Sequence, residues 1–124
     1  MNEEIRQALR LPQTIDITTT GRRSGAPRRI ELVFHNVGNR IYLSGMPGRE
    51  RHWLRNMRND PHITFHLKGR VRADLPATIR ELTEPAERRA VMEHVAANWG
   101  RTDVDRMMEH SPLVEVRFDH EAAA

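Results

Sequence analysis

Short runs in which apolar and polar residues alternate cover much of the chain and predict β-strands. The alternation is clearest in four segments, residues 15–20, 28–35, 40–44 and 62–67. A period of two residues places one face of each strand in a core. Residues 70–82 and 113–118 predict two more strands. The first of these is expected to be interrupted or bent at Pro76, because proline cannot donate a ladder hydrogen bond.

Apolar residues at helical spacing predict two short helices in the first half of the chain. Residues 3–11 form the first, which ends before Pro12, and residues 51–59 form the second, which ends before Pro61.

Two further helices are predicted late in the chain. Thr83 is the expected N-cap of the first, and Gly100 is its expected end. Its buried stripe is predicted to consist of Ala90, Val91, His94, Val95 and Trp99. Thr102 with Asp105 forms a near capping box for the second helix, which is expected to reach His110.

This pattern of elements favours an α+β fold, an antiparallel six-stranded β-barrel with short flanking helices. A parallel sheet would need helices between successive strands, whereas the predicted helices lie mostly at the end of the chain. At 124 residues the chain has the length of one domain, so a single domain over residues 1–124 is expected.

Composition excludes several classes of site. The chain has no cysteines, so it forms neither disulfides nor thiolate metal sites. The N-terminal residues lack the basic and then apolar profile of a signal peptide, and no apolar run approaches the roughly 18 residues that cross a membrane. A cytoplasmic protein without an integral membrane segment is therefore expected.

The charge is distributed unevenly along the chain. Residues 1–80 carry 15 Lys+Arg against 7 Asp+Glu, and residues 81–124 carry 5 against 10. Lys68 is the only lysine, so the basic part is almost entirely arginine. Arginine offers a planar fork to phosphates and carboxylates, although a GC-rich genome produces the same bias without any ligand.

The most informative stretch is the turn at residues 18–29, Thr-Thr-Thr-Gly-Arg-Arg-Ser-Gly-Ala-Pro-Arg-Arg. Glycine-rich turns direct backbone N–H groups outward, and arginine and serine side chains here add further donors. The residues alone leave two interpretations open, an anion-binding turn and a solvated hairpin. The stretch lacks both the spacing of a Walker A motif and a GxGxxG nucleotide pattern.

Other chemistries find less support in the sequence. His62 and His66 lie four residues apart on a predicted strand, which separates them by roughly 13 Å, so no metal site is predicted. No serine lies in a nucleophile elbow. The basic region leaves a nucleic-acid-binding protein as an alternative, but no recognisable binding motif supports it.

The order of motifs resembles the deazaflavin (F420)-dependent nitroreductase family. The matching residues are the turn 21–29, Ser44-Gly45, Trp53 with Asn56, Asp60-Pro61 and His66 to Gly69. The resemblance runs from about Thr18 to Leu82 and is mostly architectural beyond that point. It implies a split β-barrel related to flavin reductases and pyridoxamine-phosphate oxidases.

The resemblance implies coenzyme F420 as cofactor, with flavin mononucleotide (FMN) as the less favoured alternative. The tail of this deazaflavin carries a phosphate and several glutamate carboxylates but no adenosine, which suits an arginine-rich groove. The implied ligands of the phosphate and tail are Arg22, Arg23, Ser24, Gly25 and Arg28. The implied neighbours of the phosphate or ring are Ser44, Gly45 and Gly48, and the residues implied to shape the ring pocket are Trp53 and Asn56.

The implied reaction is hydride transfer from the deazaflavin ring to a small electrophile, a quinone, nitroaromatic or enone. Nitro-reducing members use tyrosines from the C-terminal region, whereas the only tyrosine here is Tyr42. This departure argues against nitro reduction and leaves Ser44, His94, His110 or solvent as candidate proton donors. A homodimer is expected from the related flavin folds. A non-catalytic module that binds deazaflavin, FMN or haem on the same barrel stays open as an alternative.

Overall fold

Six antiparallel strands close into a barrel in the computed structural model, which describes residues 1–120. The strands are β1 (Thr14–Thr20), β2 (Pro27–Val37), β3 (Arg40–Ser44), β4 (His62–Lys68), β5 (Arg72–Glu81) and β6 (Leu113–Phe118). Their order around the barrel is β1-β2-β3-β6-β5-β4, and β4 pairs back onto β1. The predicted α+β class and the antiparallel six-stranded barrel are confirmed.

Short helices flank the barrel. Within the described residues they are α1 (Glu3–Ala8), α2 (His52–Asn59), α3 (Pro85–Asn98) and α4 (Val104–His110). Helix α2 connects β3 to β4 and contacts β1, whereas α3 packs against α4 and β2. The predicted end of α1 at Leu11 is wrong, because the helix stops at Ala8 and Leu9 is its C-cap.

Two strands differ from their predicted extents. β2 continues to Val37 because the hairpin to β3 turns in only two residues, Gly38 and Asn39, both with positive φ. β5 is not interrupted at Pro76, which pairs with Thr64 of β4. The carbonyl of Pro76 faces the end of β6, where it accepts from the Asp119 N–H at 3.0 Å. The missing N–H faces the same side, so the ladder to β4 loses no donor.

The N-caps of the two late helices differ from the predicted ones. Glu84, not Thr83, caps α3, because its carboxylate accepts from the N–H groups of Ala86 at 3.0 Å and Glu87 at 2.7 Å. Asp103 lies at the N-cap of α4 in place of Thr102, and Arg101 Nε donates to it at 2.9 Å. The predicted near capping box is therefore wrong.

The buried face of α3 is rotated by one residue relative to the predicted stripe. Ala90 and His94 are exposed, and the buried residues are Val91, Met92, Val95 and Ala96. One residue corresponds to about 100° of rotation around a helix. The rotation turns Met92 toward a cluster that includes Tyr42 of β3 and Leu113 of β6.

The apolar core has two parts that lie on opposite sides of the sheet. Inside the barrel, residues from β1, β2 and β4 pack together, including Ile17, Phe34 and Phe65. The Phe34 and Phe65 ring centroids are 5.6 Å apart. Outside it, α3 and α4 cover parts of β2, β3 and β6 around Met92 and Leu113. The strands that carry the turn 21–26 are thus fixed by the interior core.

A buried histidine lies under the C-terminal end of α3. The His35 side chain is fully buried, Asn98 Nδ2 donates to its Nδ1 at 3.0 Å, and its ring centroid is 4.8 Å from that of Trp99. Burial disfavours the charged imidazolium and lowers the pKa of His35 to about 4.

His35 predicts an acid-sensitive fold. Its pKa is about 4 in the folded protein and about 6.5 in the unfolded chain, so the unfolded chain binds the proton more tightly. The stabilisation is fully present above about pH 6.5 and is lost as the pH falls toward about 4. Urea titrations should show the free energy of unfolding falling by about 2 kcal/mol through this group between about pH 7 and about pH 4.5.

The control is His35→Gln, a variant that does not titrate at this position. Its free energy of unfolding should fall less over the same pH range than that of the wild type, whatever its stability at neutral pH. The same pH dependence in both proteins would contradict the assignment.

Candidate functional site

The turn between β1 and β2 is closed by its own backbone. Gly21 N–H donates to the Ala26 carbonyl at 2.8 Å, and Gly25 N–H donates to the Gly21 carbonyl at 2.8 Å. Gly25 has φ of 73°, a conformation that favours glycine. A Cβ at position 21 would lie 3.0 Å from Ser24 Oγ and 3.1 Å from the Ala26 carbonyl. Both glycines are therefore needed for this compact turn.

A buried asparagine joins the turn to α2. Asn56 is only 4% exposed, and its Oδ1 accepts from Arg22 twice, from the backbone N–H at 3.2 Å and from Nη1 at 2.9 Å. Its Nδ2 donates to Thr19 Oγ1 at 3.1 Å. One side chain thus holds the helix, the last residues of β1 and the first arginine of the turn together.

The four arginines of the turn fall into two pairs. Arg22 is held by Asn56, and Arg29 Nε donates to Asp16 Oδ2 at 2.9 Å. Arg23 and Arg28 are exposed. Within residues 1–120, their guanidinium groups take part in no hydrogen bond or ion pair. The turn therefore presents two positioned and two uncommitted cations.

The turn, β2 and α2 enclose a groove of about 430 Å³. Six of the predicted cofactor residues line it, namely Arg22, Arg23, Ser24, Arg28, Trp53 and Asn56. Trp53 is 6% exposed and belongs to the interior core, so it serves as core and as groove wall at once. No carboxylate of the described chain lines this groove. The structure thus brings most of the predicted residues into one cationic concavity.

The predicted residues Ser44, Gly45 and Gly48 lie apart from the turn, with Ser44 at the end of β3 and the two glycines in the loop that follows it. Ser44 is buried, and its hydroxyl donates to the Pro112 carbonyl at 2.6 Å. A Cβ at Gly45 would overlap the Arg51 guanidinium. Gly48, with φ of 109°, donates its N–H to the His110 carbonyl at 3.1 Å. None of the three lines the groove, and their assignment to the cofactor stays a prediction.

Arg51, the N-cap residue of α2, holds this loop through its guanidinium group. It donates to the Met46 carbonyl at 2.7 Å and to the Arg49 carbonyl at 2.9 Å. Burial and the neighbouring Arg49 charge lower the pKa of Arg51, which still leaves an arginine charged at neutral pH.

The candidate proton donors are dispersed. Ser44 is committed to Pro112, and His94 is exposed on α3. His110 is exposed at the end of α4 and lines a second cavity of about 600 Å³, on the side of α2 that carries Leu54 and Arg58. The structure therefore does not bring Ser44, His94 and His110 together at the groove, and their roles stay predictions.

Five residues that line the groove were not among the predicted site residues, namely Thr19, Gly21, Arg29, Ile30 and His52. His52 precedes Trp53 at the start of α2, lines the groove, and places Nδ1 3.2 Å from Arg22 Nη2. The available signal was its spacing from Asn56, since residues four apart lie on the same face of a helix.

A second polar network lies on the outer face of β1, β4 and β5. Thr18 Oγ1 is 2.7 Å from His66 Nε2, and His66 Nδ1 is 2.6 Å from Asp74 Oδ1. The hydrogen bond from His66 lowers the pKa of Asp74. His62, by contrast, is exposed at the start of β4. No group of three potential metal-ligating side chains is found within residues 1–120.

Asn56→Ala should destabilise the protein and loosen the turn. The change leaves the Arg22 N–H and the Thr19 hydroxyl without their buried partner, which costs about 1–3 kcal/mol. Urea unfolding at neutral pH measures the loss. Asn56→Asp keeps the acceptor for Arg22 and should lose less. Equal stability of the alanine variant and the wild type would show that the asparagine does not hold the turn.

The sequence matches the F420H(2)-dependent quinone reductase family over residues 2–120. A search of curated proteins gives no significant match. Among the described residues, none of the helices is long and apolar enough to cross a membrane.

Solved structures share the fold at low sequence identity. A conserved hypothetical protein of Mycobacterium tuberculosis has a TM-score of 0.76 at 22% identity, covering 96% of this chain and 81% of its own. A protein of unknown function from Agrobacterium tumefaciens has a TM-score of 0.74 at 20% identity, and the match covers 92% of this chain but 51% of its own.

A third structure, described as an F420-H2 dependent reductase, has a TM-score of 0.64 at 19% identity, covering 84% of this chain and 93% of its own. At these identities the structures establish the fold, while the family match covers almost the whole sequence. The chain therefore belongs to the F420H(2)-dependent quinone reductase family, which makes coenzyme F420 its cofactor.

Proposed function

We propose that this protein is an oxidoreductase that uses reduced coenzyme F420 to reduce small electrophiles, with quinones as the leading acceptor class. The observation that carries the proposal is the groove beside the turn. It combines two uncommitted guanidinium groups, Arg23 and Arg28, with a positioned Arg22. The family match supplies the cofactor that such a donor set suits.

The donor set of the groove fits a phosphorylated, polyacidic tail. Arg23 and Arg28 are free to form charge-assisted hydrogen bonds to phosphate or carboxylate oxygens. Ser24 Oγ accepts from the Ala26 N–H at 3.1 Å, which leaves the serine hydroxyl proton to donate to a ligand. Arg22 is fixed by Asn56 before any ligand arrives, so its ordering costs little on binding.

The apolar part of the groove fits a planar ring. Trp53 and Ile30 line it beside the arginines, so one end of a ligand meets cations and the other meets apolar side chains. When bound, the reduced coenzyme supplies a hydride to the acceptor. The residues of the chain bind the tail, orient the ring and limit the access of water.

The acceptor class is proposed as quinones, with nitroaromatics and enones as further candidates. Ser44, His94 and His110 stay proposed proton sources alongside solvent. None of these three lines the groove, and the Ser44 hydroxyl already donates to Pro112, so water is the proton source that the geometry favours.

The two uncommitted arginines should dominate cofactor affinity. Arg23→Ala/Arg28→Ala should weaken the binding of oxidised coenzyme F420 at least about tenfold, since each charge-assisted hydrogen bond contributes about 1.5–3 kcal/mol. Fluorescence titration of the coenzyme measures the affinity. Arg10→Ala/Arg70→Ala removes the same charge outside the groove and should leave the affinity nearly unchanged. An equal effect of both pairs would attribute binding to net charge alone.

The same titration separates the alternatives. Tighter binding of FMN or haem than of the deazaflavin would overturn the cofactor assignment for this chain. Tight binding of duplex DNA, lost with added salt, would support a nucleic-acid-binding protein.

Reduced coenzyme F420 should be oxidised faster with protein and menadione together than with either alone. Loss of the absorbance of the reduced coenzyme under anaerobic conditions measures the rate. Tight coenzyme binding without acceleration by quinones, nitroaromatics or enones would favour a non-catalytic binding module. The observation that favours this second function is that none of the candidate proton donors Ser44, His94 and His110 lies at the groove.

A homodimer and a cytoplasmic location complete the proposal. A fold neighbour with 18% sequence identity and a TM-score of 0.64 is described as a domain-swapped dimer, which supports the proposed homodimer. Light scattering after gel filtration gives the oligomeric state directly.

A further inference from the structure

We infer that His52 is a hydrogen-bond donor to the oxygen of the acceptor that is reduced in the groove. The inference rests on the proposed function and assigns a role to a residue at the start of α2 that lines the same groove as Trp53 and Arg22. It concerns binding and polarisation of the acceptor, not transfer of a proton from the imidazole.

The contact with Arg22 fixes the tautomer of His52. Arg22 Nη2 lies 3.2 Å from His52 Nδ1, and a guanidinium group only donates hydrogen bonds. Nδ1 must therefore be the acceptor, with its lone pair directed at Arg22. In the neutral imidazole the proton then lies on Nε2.

The position of the ring is set by the same contacts that hold the turn. Asn56 and His52 lie four residues apart on α2, and both bind the guanidinium of Arg22. The imidazole is thus held against a side chain that is itself fixed. The side chain of His52 is otherwise exposed, so the contact with Arg22 is what orients it. A donor oriented in advance reorganises less when charge develops during a reaction.

Nε2–H has no competing acceptor close at hand. It forms no hydrogen bond within residues 1–120, and the charged side chains that line the groove with it are all arginines: Arg22, Arg23, Arg28 and Arg29. A donor in a groove without carboxylates is directed at a ligand or at water. This donor fits a ligand oxygen, and the inference assigns it to the carbonyl oxygen of the acceptor.

Hydride addition to a quinone creates negative charge on a carbonyl oxygen. With the coenzyme bound, the hydride would come from its reduced ring, which would become oxidised and release one proton to water, while the oxygen would take one proton from water to give the hydroquinone. His52 keeps its own proton throughout. Its hydrogen bond lowers the barrier because it strengthens as the charge on the oxygen grows.

The tautomer is tested on the free protein, before any cofactor is added. Long-range ¹H–¹⁵N correlation spectra at neutral pH should show His52 as the Nε2–H tautomer, and Arg22→Ala should relax this preference. The Nδ1–H tautomer or a fully protonated ring in the wild type would overturn the inference. This readout does not depend on coenzyme F420, so its result is independent of the proposed function.

The role is tested by three variants assayed with reduced coenzyme F420 and menadione. His52→Leu removes the donor and should lower kcat about tenfold to a hundredfold, which is at or below the lower end of the loss for one buried oxyanion donor. The affinity for oxidised coenzyme should change less than about twofold. His52→Gln keeps an N–H donor and should retain most of the activity. His62→Leu, an exposed histidine on β4, is the matched control.

The outcomes distinguish failure of the proposed function from failure of the role assigned to His52. A wild type that neither binds the coenzyme nor reduces menadione contradicts the proposed function. A wild type that does both while His52→Leu keeps its kcat contradicts only the role of His52. Weaker coenzyme binding in His52→Leu with an unchanged kcat would make His52 a cofactor ligand and would also overturn the inference.

Discussion

The hydrogen bonds of the Asn56 side chain are the constraint on which the site depends. The barrel interior fixes β1 and β2 and packs against Trp53 and Met57 of α2, but these apolar contacts do not join the helix directly to the turn. The buried Asn56 amide makes this connection, because its oxygen accepts from Arg22 and its nitrogen donates to Thr19. Loss of a buried hydrogen-bonding partner is costly, so helix and turn keep one relative position, and the groove between them is present before a ligand binds.

The division of the arginines follows from the same constraint. A turn with four free guanidinium groups would repel itself and would pay conformational entropy for each group on binding. Here Asn56 positions Arg22, and Asp16 neutralises part of the charge of Arg29. Arg23 and Arg28 keep their freedom at the surface. The site thus combines a positioned arginine, Arg22, with two uncommitted ones, Arg23 and Arg28. This combination suits a tail that carries several acidic groups.

The barrel and most of the groove could be predicted from the sequence because both depend on patterns of neighbouring residues. Strand alternation placed Ile17 and Phe65 in the interior, and the family's turn motif placed Arg22, Arg23 and Arg28 in one segment. Errors arose where a choice depends on tertiary packing. The buried face of α3 was predicted one residue out of place. Val91 and Val95 fit a stripe with Ala90 and His94 as well as one with Met92 and Ala96, and only the packing of Met92 near Tyr42 selects the second.

The N-cap of α3 was predicted incorrectly for a different, local reason. Both Thr83 and Glu84 are able to cap a helix, and Pro85 at the first helical position determines which one does. His52 was missed because its role requires Arg22, which lies 30 residues earlier in the chain. Spacing along α2 shows that His52 and Asn56 share a face, but it does not show what lies opposite that face.

The restriction of the basic residues to arginine has a consequence for control of the protein. Acetylation and other acylations neutralise lysine amines but not guanidinium groups. The one lysine, Lys68, is on β4, where it pairs with Asp16 and Glu31 instead of lining the groove. Metabolic acylation of side-chain amines would therefore leave the charge of the groove intact. Lys68 also offers an attachment point for surface immobilisation outside the groove.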